Sequence, residues 1–179
     1  MLQVYTGNGK GKTTAAIGLA IRSLGAGHRV YMMQFMKSLA YAEQHILKDL
    51  ANMTLETTGK PFFIAEEGMV NEETRLAFGD DLVVFPHGKP PHDYLALMSA
   101  GMGHVTGLLR EQVFDLVILD EINVALSFGL IQREQMEELL NFVPVETEVV
   151  CTGRNAPSWL QGRSDHQYGR GASLLPTGR

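Results

Sequence analysis

The most informative stretch of the sequence is a glycine-rich segment that ends in lysine and threonine. It lies between an apolar run and a segment with helical periodicity, and it reads Thr6-Gly7-Asn8-Gly9-Lys10-Gly11-Lys12-Thr13-Thr14. Glycines let successive backbone N–H groups approach phosphate oxygens, and the N-terminus of the next helix adds the positive end of its dipole. Lys12 would place its charge on the terminal phosphates, and the Thr13 hydroxyl would hold Mg²⁺. The segment predicts a phosphate-binding loop, although Thr6 stands where the usual pattern has glycine.

Two acidic residues follow a second apolar run. Asp120 and Glu121 come directly after Val117-Ile118-Leu119. Ligands of open α/β sheets bind beyond the carboxyl ends of the strands, so both carboxylates are expected to face the phosphate loop. There they could hold Mg²⁺ directly or through water. Alone, such a pair is more typical of a helix start, and that alternative stays open here.

A third polar segment also follows an apolar run. It reads Cys151-Thr152-Gly153-Arg154-Asn155-Ala156-Pro157. Arg154 would bind a phosphate through two parallel N–H donors if the run is a strand that ends at the same edge of the sheet. The alternative is a surface turn with a solvated arginine.

The elements that must position these segments alternate between strand-like and helix-like patterns. The segment from Thr58 to Gly79 has weak periodicity and is predicted to be a loop with a short helix. Besides the first strand, strands are predicted at 29–35, 53–57, 81–85, 114–119 and 147–151. Helices are predicted at 15–24, 41–50, 93–112 and 132–142. The alternation predicts a three-layer α/β fold with a mainly parallel sheet.

Composition narrows the class of protein. The chain has 179 residues, 45% hydrophobic and 20% charged, with a net charge of −5, which suits one globular domain without a nucleic-acid partner. No apolar run approaches the ~20 residues of a membrane span. The single cysteine, Cys151, excludes an internal disulfide, and Met1 leads directly into the first strand. Both features favour a cytoplasmic location without a signal peptide.

Four ordered segments resemble the P-loop ATP:corrinoid adenosyltransferases. They read TGNGKGKTTAA, VYMMQFMKS, LDEINVAL and TGRNAP. The resemblance is good over residues 3–38 and 114–160 and weaker between them, and it accounts for Thr6 at the start of the loop. It implies the P-loop, RecA-like form of the α/β fold. It also implies transfer of the 5′-deoxyadenosyl group of ATP to the Co(I) of a corrinoid, with triphosphate as the leaving group.

The resemblance also implies roles for individual residues. Lys12, Glu121 and Arg154 would be catalytic, and Thr13, Asp120 and Glu121 would hold Mg²⁺. The substrates would be bound by Thr6, Gly7, Asn8, Gly9, Lys10, Gly11, Lys12, Thr13, Thr14, Asn155 and Phe62. The cobalt is the nucleophile, so the protein needs none of its own. An electron donor such as a flavoprotein would reduce the cobalt, and a homodimer is compatible with the resemblance.

Two segments depart from the family pattern. Thr58-Gly59-Lys60-Pro61-Phe62-Phe63 stands where the family has an aromatic segment near the corrinoid. Phe62 either serves there or is a core residue. The domain is predicted to cover residues 1–165, and 166–179 reads as a glycine-rich, poorly ordered tail without strand pattern. We hypothesise a frameshift after Asp165; the alternative is a divergent terminus.

Two other functions stay open from the sequence. One is a different P-loop ATPase or small-molecule kinase, which would hydrolyse or transfer the γ-phosphate. The other is a catalytically impaired paralogue that binds nucleotide or corrinoid without reacting.

Overall fold

A computed structural model of the chain describes residues 1–38 and 41–169. The strands in this part of the chain are β1 (Leu2–Thr6), β2 (Val30–Phe35), β3 (Met53–Thr58), β4 (Phe63–Glu66), β5 (Leu82–Phe85), β6 (Leu116–Asp120), β7 (Glu148–Thr152) and β8 (His166–Gly169). The α-helices are α1 (Lys12–Gly25), α2 (Ala42–Leu47), α3 (Glu72–Phe78), α4 (His92–Glu111), α5 (Ile122–Ser127), α6 (Arg133–Asn141) and α7 (Ser158–Arg163), and Gly79–Asp81 forms a 3₁₀ turn.

Six strands form the main sheet, in the order β3-β2-β6-β7-β1-β8. Every neighbouring pair is parallel, with Val4 opposite Cys151 and Met33 opposite Leu119. The carboxyl ends of the strands therefore lie at one edge, which we call the phosphate edge. β7 separates β1, which leads into the glycine-rich loop, from β6, which ends in Asp120. The three polar segments of the sequence thus meet at this edge.

Both faces of the main sheet are covered. Alternate strand side chains such as Val4, Val117 and Leu119 belong to one buried cluster, which includes residues of α4, α5, α6 and α7. Tyr5 and Ile118 belong to a second cluster on the other face, with residues of α1 and α2. Strands buried on both faces read as continuous apolar runs, as here. The predicted three-layer α/β fold with a parallel sheet is confirmed.

β4 and β5 form a separate two-stranded parallel sheet. The strand predicted at 81–85 therefore exists as β5, and the short helix predicted between Thr58 and Gly79 is α3. The loop prediction for the rest of that segment is wrong, because Phe63–Glu66 is a strand. Its four residues are too few to show a period, and its pairing partner lies about twenty residues later in the chain.

The prediction that the chain lacks a strand from residue 166 onward is wrong for His166–Gly169. This segment pairs with β1, from Gln3 opposite His166 to Thr6 opposite Gly169. Backbone hydrogen bonds to β1 define this edge strand, so hydrophobic alternation is not required. The sheet therefore extends beyond the predicted boundary at residue 165, and residues 170–179, on which the frameshift hypothesis depends, lie outside the described residues.

The longest helix of the described ranges, α4, has 20 residues. Neither it nor any other helix there combines the length and apolarity that crossing a membrane requires.

Candidate nucleotide site

The glycine-rich loop joins β1 to α1 and folds around the Lys12 ammonium. Gly7 and Gly11 have φ angles of 120° and 110°, in the left-handed region that glycine tolerates best. Lys12 Nζ donates hydrogen bonds to the Gly7 carbonyl at 2.7 Å and the Gly9 carbonyl at 2.8 Å. The loop therefore holds one positive charge at its centre, at the N-terminus of a 14-residue helix.

Thr6 ties this loop to the segment after β7. Its hydroxyl oxygen accepts a hydrogen bond from the Ala156 backbone N–H at 3.3 Å, and the Gly153 N–H donates to the Tyr5 carbonyl at 3.1 Å. A glycine at position 6 could not make the first of these contacts. Thr6 thus links the phosphate loop to the segment that carries Arg154.

Asp120 is fully buried and receives four hydrogen bonds. Its Oδ1 accepts from the hydroxyls of Thr13 at 2.8 Å and Thr152 at 2.6 Å. Its Oδ2 accepts from Gln34 Nε2 at 3.0 Å and Lys37 Nζ at 2.7 Å. A carboxylate offers about four acceptor sites, so this one is saturated and its charge is matched by that of Lys37.

Glu121 precedes α5 in a left-handed conformation, with φ 63° and ψ 13°. Its backbone N–H donates to Thr152 Oγ1 at 3.0 Å. Glu121 occupies the N-cap position of α5, as the helix-start alternative predicts, but its side chain makes no capping hydrogen bond to the helix. Among the residues that the structure describes, none donates a hydrogen bond to the Glu121 carboxylate, in contrast to that of Asp120.

The charges at this edge shift one another's pKa values. Burial raises the pKa of Glu121, the Asp120 carboxylate adds to this, and Lys37, Lys12 and Arg154 oppose it. Burial lowers the pKa of Lys12, which Glu121 opposes and Arg154 reinforces. The charged forms of the half-buried Glu121 carboxylate and of the half-buried Lys12 ammonium are therefore less stable than in water, and a bound cation or phosphate would stabilise them.

Arg154 and Asn155 lie in the exposed loop after β7, at the same edge. The Arg154 charge acts on both Lys12 and Glu121, and Asn155 has a φ of 55°. The structure thus brings the predicted loop, acidic and arginine segments together.

Phe62 lies at the rim of a cavity of about 240 Å³ beside this edge. Its ring is 6.2 Å from that of Tyr94 and 5.8 Å from Lys60 Nζ. The cavity is lined by Met36, Lys37, Ser38, Tyr41, Lys60, Pro61, Phe62 and Phe63. Phe62 therefore packs against the core and also lines a cavity, and its role near the corrinoid stays a prediction.

Sequence reasoning missed three residues of the Asp120 network. Gln34 is a fully buried polar residue within the apolar strand β2, and Lys37 and Thr152 stand at or just after strand ends. Because strand ends meet at one edge of a parallel sheet, Lys37 and Thr152 could have been expected at the phosphate edge, but their contact with Asp120 depends on the strand order. The buried glutamine in VYMMQF was a further signal, because an unpaired amide in a core is costly.

Comparison with known proteins shows the family. The sequence model of the family described as ATP:corrinoid adenosyltransferase BtuR/CobO/CobP matches residues 1–168. The corrinoid adenosyltransferase CobA of Salmonella typhimurium is 31% identical over 84% of this chain, and that of Escherichia coli K12 is 30% identical over 84%. The uncharacterized protein all2391 of Nostoc is 30% identical over 92%. The chain spans 66% of the Salmonella enzyme and 42% of the Nostoc protein.

One solved structure supports the fold alone. The flagellar accessory protein FlaH from Methanocaldococcus jannaschii aligns with a TM-score of 0.50 and 13% identity, over 94% of this chain and 70% of FlaH. The predicted P-loop, RecA-like form of the α/β fold is confirmed. Together with the match over residues 1–168, the comparisons show that this chain belongs to the ATP:corrinoid adenosyltransferase family.

Proposed function

We propose that the protein transfers the 5′-deoxyadenosyl group of ATP to the Co(I) of a corrinoid and releases triphosphate. One observation carries this beyond family membership: Lys37 binds Asp120 at 2.7 Å and also lines the cavity beside Phe62. A phosphate site and an aromatic cavity therefore share a residue. Adenosyl transfer needs this adjacency, because the ribose must lie between the triphosphate and the cobalt.

The donor set of the phosphate edge fits Mg²⁺. The described residues contain no cluster of three or more His, Cys, Asp or Glu side chains, and Mg²⁺ usually keeps several waters and binds one or two carboxylates plus phosphates. The Thr13 hydroxyl can donate its hydrogen to Asp120 while its oxygen faces a cation. We propose Thr13 and Glu121 as the residues that meet Mg²⁺, with the saturated Asp120 behind Thr13. When bound, the ion would balance charge on the triphosphate.

Lys12 and Arg154 would stabilise the charge that develops on the leaving group. In the proposed step, the cobalt electron pair forms the bond to C5′ while the bond between C5′ and its oxygen breaks, and triphosphate leaves with the electron pair of that broken bond. The backbone amides from Gly7 to Thr14 would hold the phosphates at the start of α1, with Asn155 near them. The protein would act by positioning and by preorganised charge, without a nucleophile of its own.

The aromatic cavity would receive part of the corrinoid. Its volume of about 240 Å³ is below the roughly 300–1,000 Å³ of typical ligand pockets, so a macrocycle would lie across its mouth rather than inside it. Phe62 and Tyr41 would then contact the corrinoid. An electron donor such as a flavoprotein would supply Co(I); a cytoplasmic location and a homodimer remain predictions.

The test is an anaerobic assay with cob(I)alamin, ATP and Mg²⁺, followed through the loss of the Co(I) absorbance. We expect ATP-dependent loss in the wild type, a strongly reduced rate in Lys12→Ala, and an unchanged rate in Lys48→Ala, an exposed lysine at the end of α2. Formation of ADP without Co(I) loss would instead indicate an ATPase or kinase. ATP binding with neither reaction would indicate the impaired paralogue.

A further inference from the structure

The Thr152 hydroxyl connects the two carboxylate residues of the phosphate edge. Thr152 is fully buried at the end of β7, between the strand that leads to the phosphate loop and the strand that ends in Asp120. Its Oγ1 donates to Asp120 Oδ1 at 2.6 Å and accepts from the Glu121 N–H at 3.0 Å. One hydroxyl group therefore uses its hydrogen on one acidic residue and a lone pair on the next.

The hydrogen bond from the Glu121 N–H to Thr152 Oγ1 helps to fix the direction in which the Glu121 side chain leaves the backbone. A left-handed conformation is uncommon for a residue other than glycine and persists where surrounding contacts fix it. Glu121 has this conformation, with φ 63°, and its backbone N–H donates a hydrogen bond to the Thr152 hydroxyl oxygen. The side chain that leaves this backbone is the carboxylate without a protein donor among the described residues.

The first contact bears on Thr13. Asp120 Oδ1 accepts from both Thr13 and Thr152. With the Thr152 hydroxyl in place, the position of Oδ1 is fixed from behind, and the Thr13 hydroxyl must donate along one direction. The oxygen lone pairs of Thr13 then keep a constant orientation.

We propose that Thr152 is a positioning residue for the cation of the nucleotide site, acting through Glu121 on one side and through Asp120 and Thr13 on the other. The inference rests on the proposed function only in that a Mg²⁺–nucleotide complex binds at the phosphate edge. It does not require that a corrinoid be adenosylated.

A matched control variant distinguishes the proposed positioning role of the Thr152 hydroxyl from a purely structural role. Thr147 lies immediately before β7, at the opposite end of this strand from Thr152. It is buried, and its hydroxyl donates to the Phe114 carbonyl at 3.0 Å. Thr147→Val and Thr152→Val each replace a buried threonine hydroxyl by a methyl group of similar size. Only the second disturbs the acidic pair.

The experiment is a calorimetric titration of ATP at a series of Mg²⁺ concentrations, without corrinoid, beside a melting curve for each variant. Loss of a residue that orients metal ligands typically weakens metal affinity by about 10–100-fold. We expect Thr152→Val to raise the half-saturating Mg²⁺ concentration about tenfold or more. Thr152→Ser, which keeps the hydroxyl, should restore the wild-type Mg²⁺ curve, and Thr147→Val should lower the melting temperature without moving that curve.

A Thr152→Val protein that melts earlier but has the wild-type Mg²⁺ curve would overturn the proposal. If Thr152→Val fails to fold, Thr152→Cys replaces the hydroxyl by a weak donor of similar size, and an unchanged Mg²⁺ curve for that variant would also overturn it. The wild-type cob(I)alamin assay tests the proposed function separately. If the wild type binds Mg²⁺ and ATP but does not adenosylate the corrinoid, the proposed function is wrong and the role proposed for Thr152 is unaffected.

Discussion

Two lysine–aspartate pairs contribute their lysines to the lining of the aromatic cavity, and the pairs differ in burial. At the phosphate edge, the side chains of Lys37 and Asp120 are 13% and 0% exposed. Beside the small sheet, those of Lys60 and Asp93 are 32% and 63% exposed. A buried pair cannot lose one partner without leaving an uncompensated charge, whereas an exposed pair contributes little. The phosphate edge is thus a fixed network, and the cavity rim is held by replaceable contacts.

The largest effect we expect is on stability, from breaking the buried pair. Lys37→Met should lower the free energy of unfolding by about 3–5 kcal/mol, because it leaves the Asp120 charge buried without a counter-charge. Lys60→Met should cost less than about 1 kcal/mol. Urea unfolding of both variants measures the difference, and Lys37→Met combined with Asp120→Asn should recover part of the loss. Equal losses at the two sites would remove the contrast between the regions.

The next effect is on function at the phosphate edge. Lys12→Ala should lower kcat/KM by an amount equivalent to about 2–4 kcal/mol, because it removes the charge that faces the leaving group. The melting temperature should change little, since among the described residues the ammonium bonds only to carbonyls of its own loop. Steady-state kinetics beside a melting curve provides the check, with Lys48→Ala as control. A variant within twofold of the wild type would rule out the loop as the triphosphate site.

A third prediction concerns the contact of Gly59 with the backbone of Met36 and Lys37, between the cavity rim and the phosphate edge. A Cβ at Gly59 would lie 2.4 Å from the Lys37 backbone nitrogen and 2.6 Å from the Met36 carbonyl carbon. Gly59→Ala should therefore cost about 1–3 kcal/mol. Gly103→Ala on the exposed side of α4, where a Cβ meets nothing within 4 Å, should stabilise by about 0.5–1 kcal/mol. Thermal unfolding should show melting-temperature shifts of opposite sign for the two variants. An unchanged melting temperature for Gly59→Ala would show that Gly59 is not closely packed against Met36 and Lys37.

The smallest effect is a pH dependence of stability from Glu121. Burial raises its pKa in the folded protein. Its contribution to stability is therefore fully present below the unfolded value of roughly 4.3 and is lost as pH rises through the folded pKa. In EDTA, Glu121→Gln should be more stable than the wild type at neutral pH, with a gap that closes toward about pH 4.

In the presence of Mg²⁺ and ATP, the wild type should be more stable than Glu121→Gln. Ligand binding adds more stability to the protein that binds the ion more tightly. Denaturant unfolding at several pH values, with and without the ligands, measures both effects. If the pH curves of the two proteins are parallel in EDTA, the Glu121 carboxyl is not destabilised by burial.

The sequence predicted those parts of the site that depend on local pattern. Lys12 and Thr13 lie in one loop, and Asp120 ends an apolar run, so each could be found within a few residues. β4 and β8 were missed because each is a four-residue strand whose pairing depends on a distant segment. Lys37 and Thr152 were missed as site residues for a related reason. Their role depends on which strands are neighbours, and the strand order was not deduced from the sequence.

The most direct test of the proposed reaction follows the γ-phosphate of ATP. A single turnover with γ-labelled ATP, Mg²⁺ and cob(I)alamin, separated by chromatography, shows which product carries the label. The proposed reaction requires labelled triphosphate in equal amount to the adenosylated corrinoid, and both should be lost together in Lys12→Ala. Label in orthophosphate at the first time points, with the Co(I) absorbance unchanged, would contradict it.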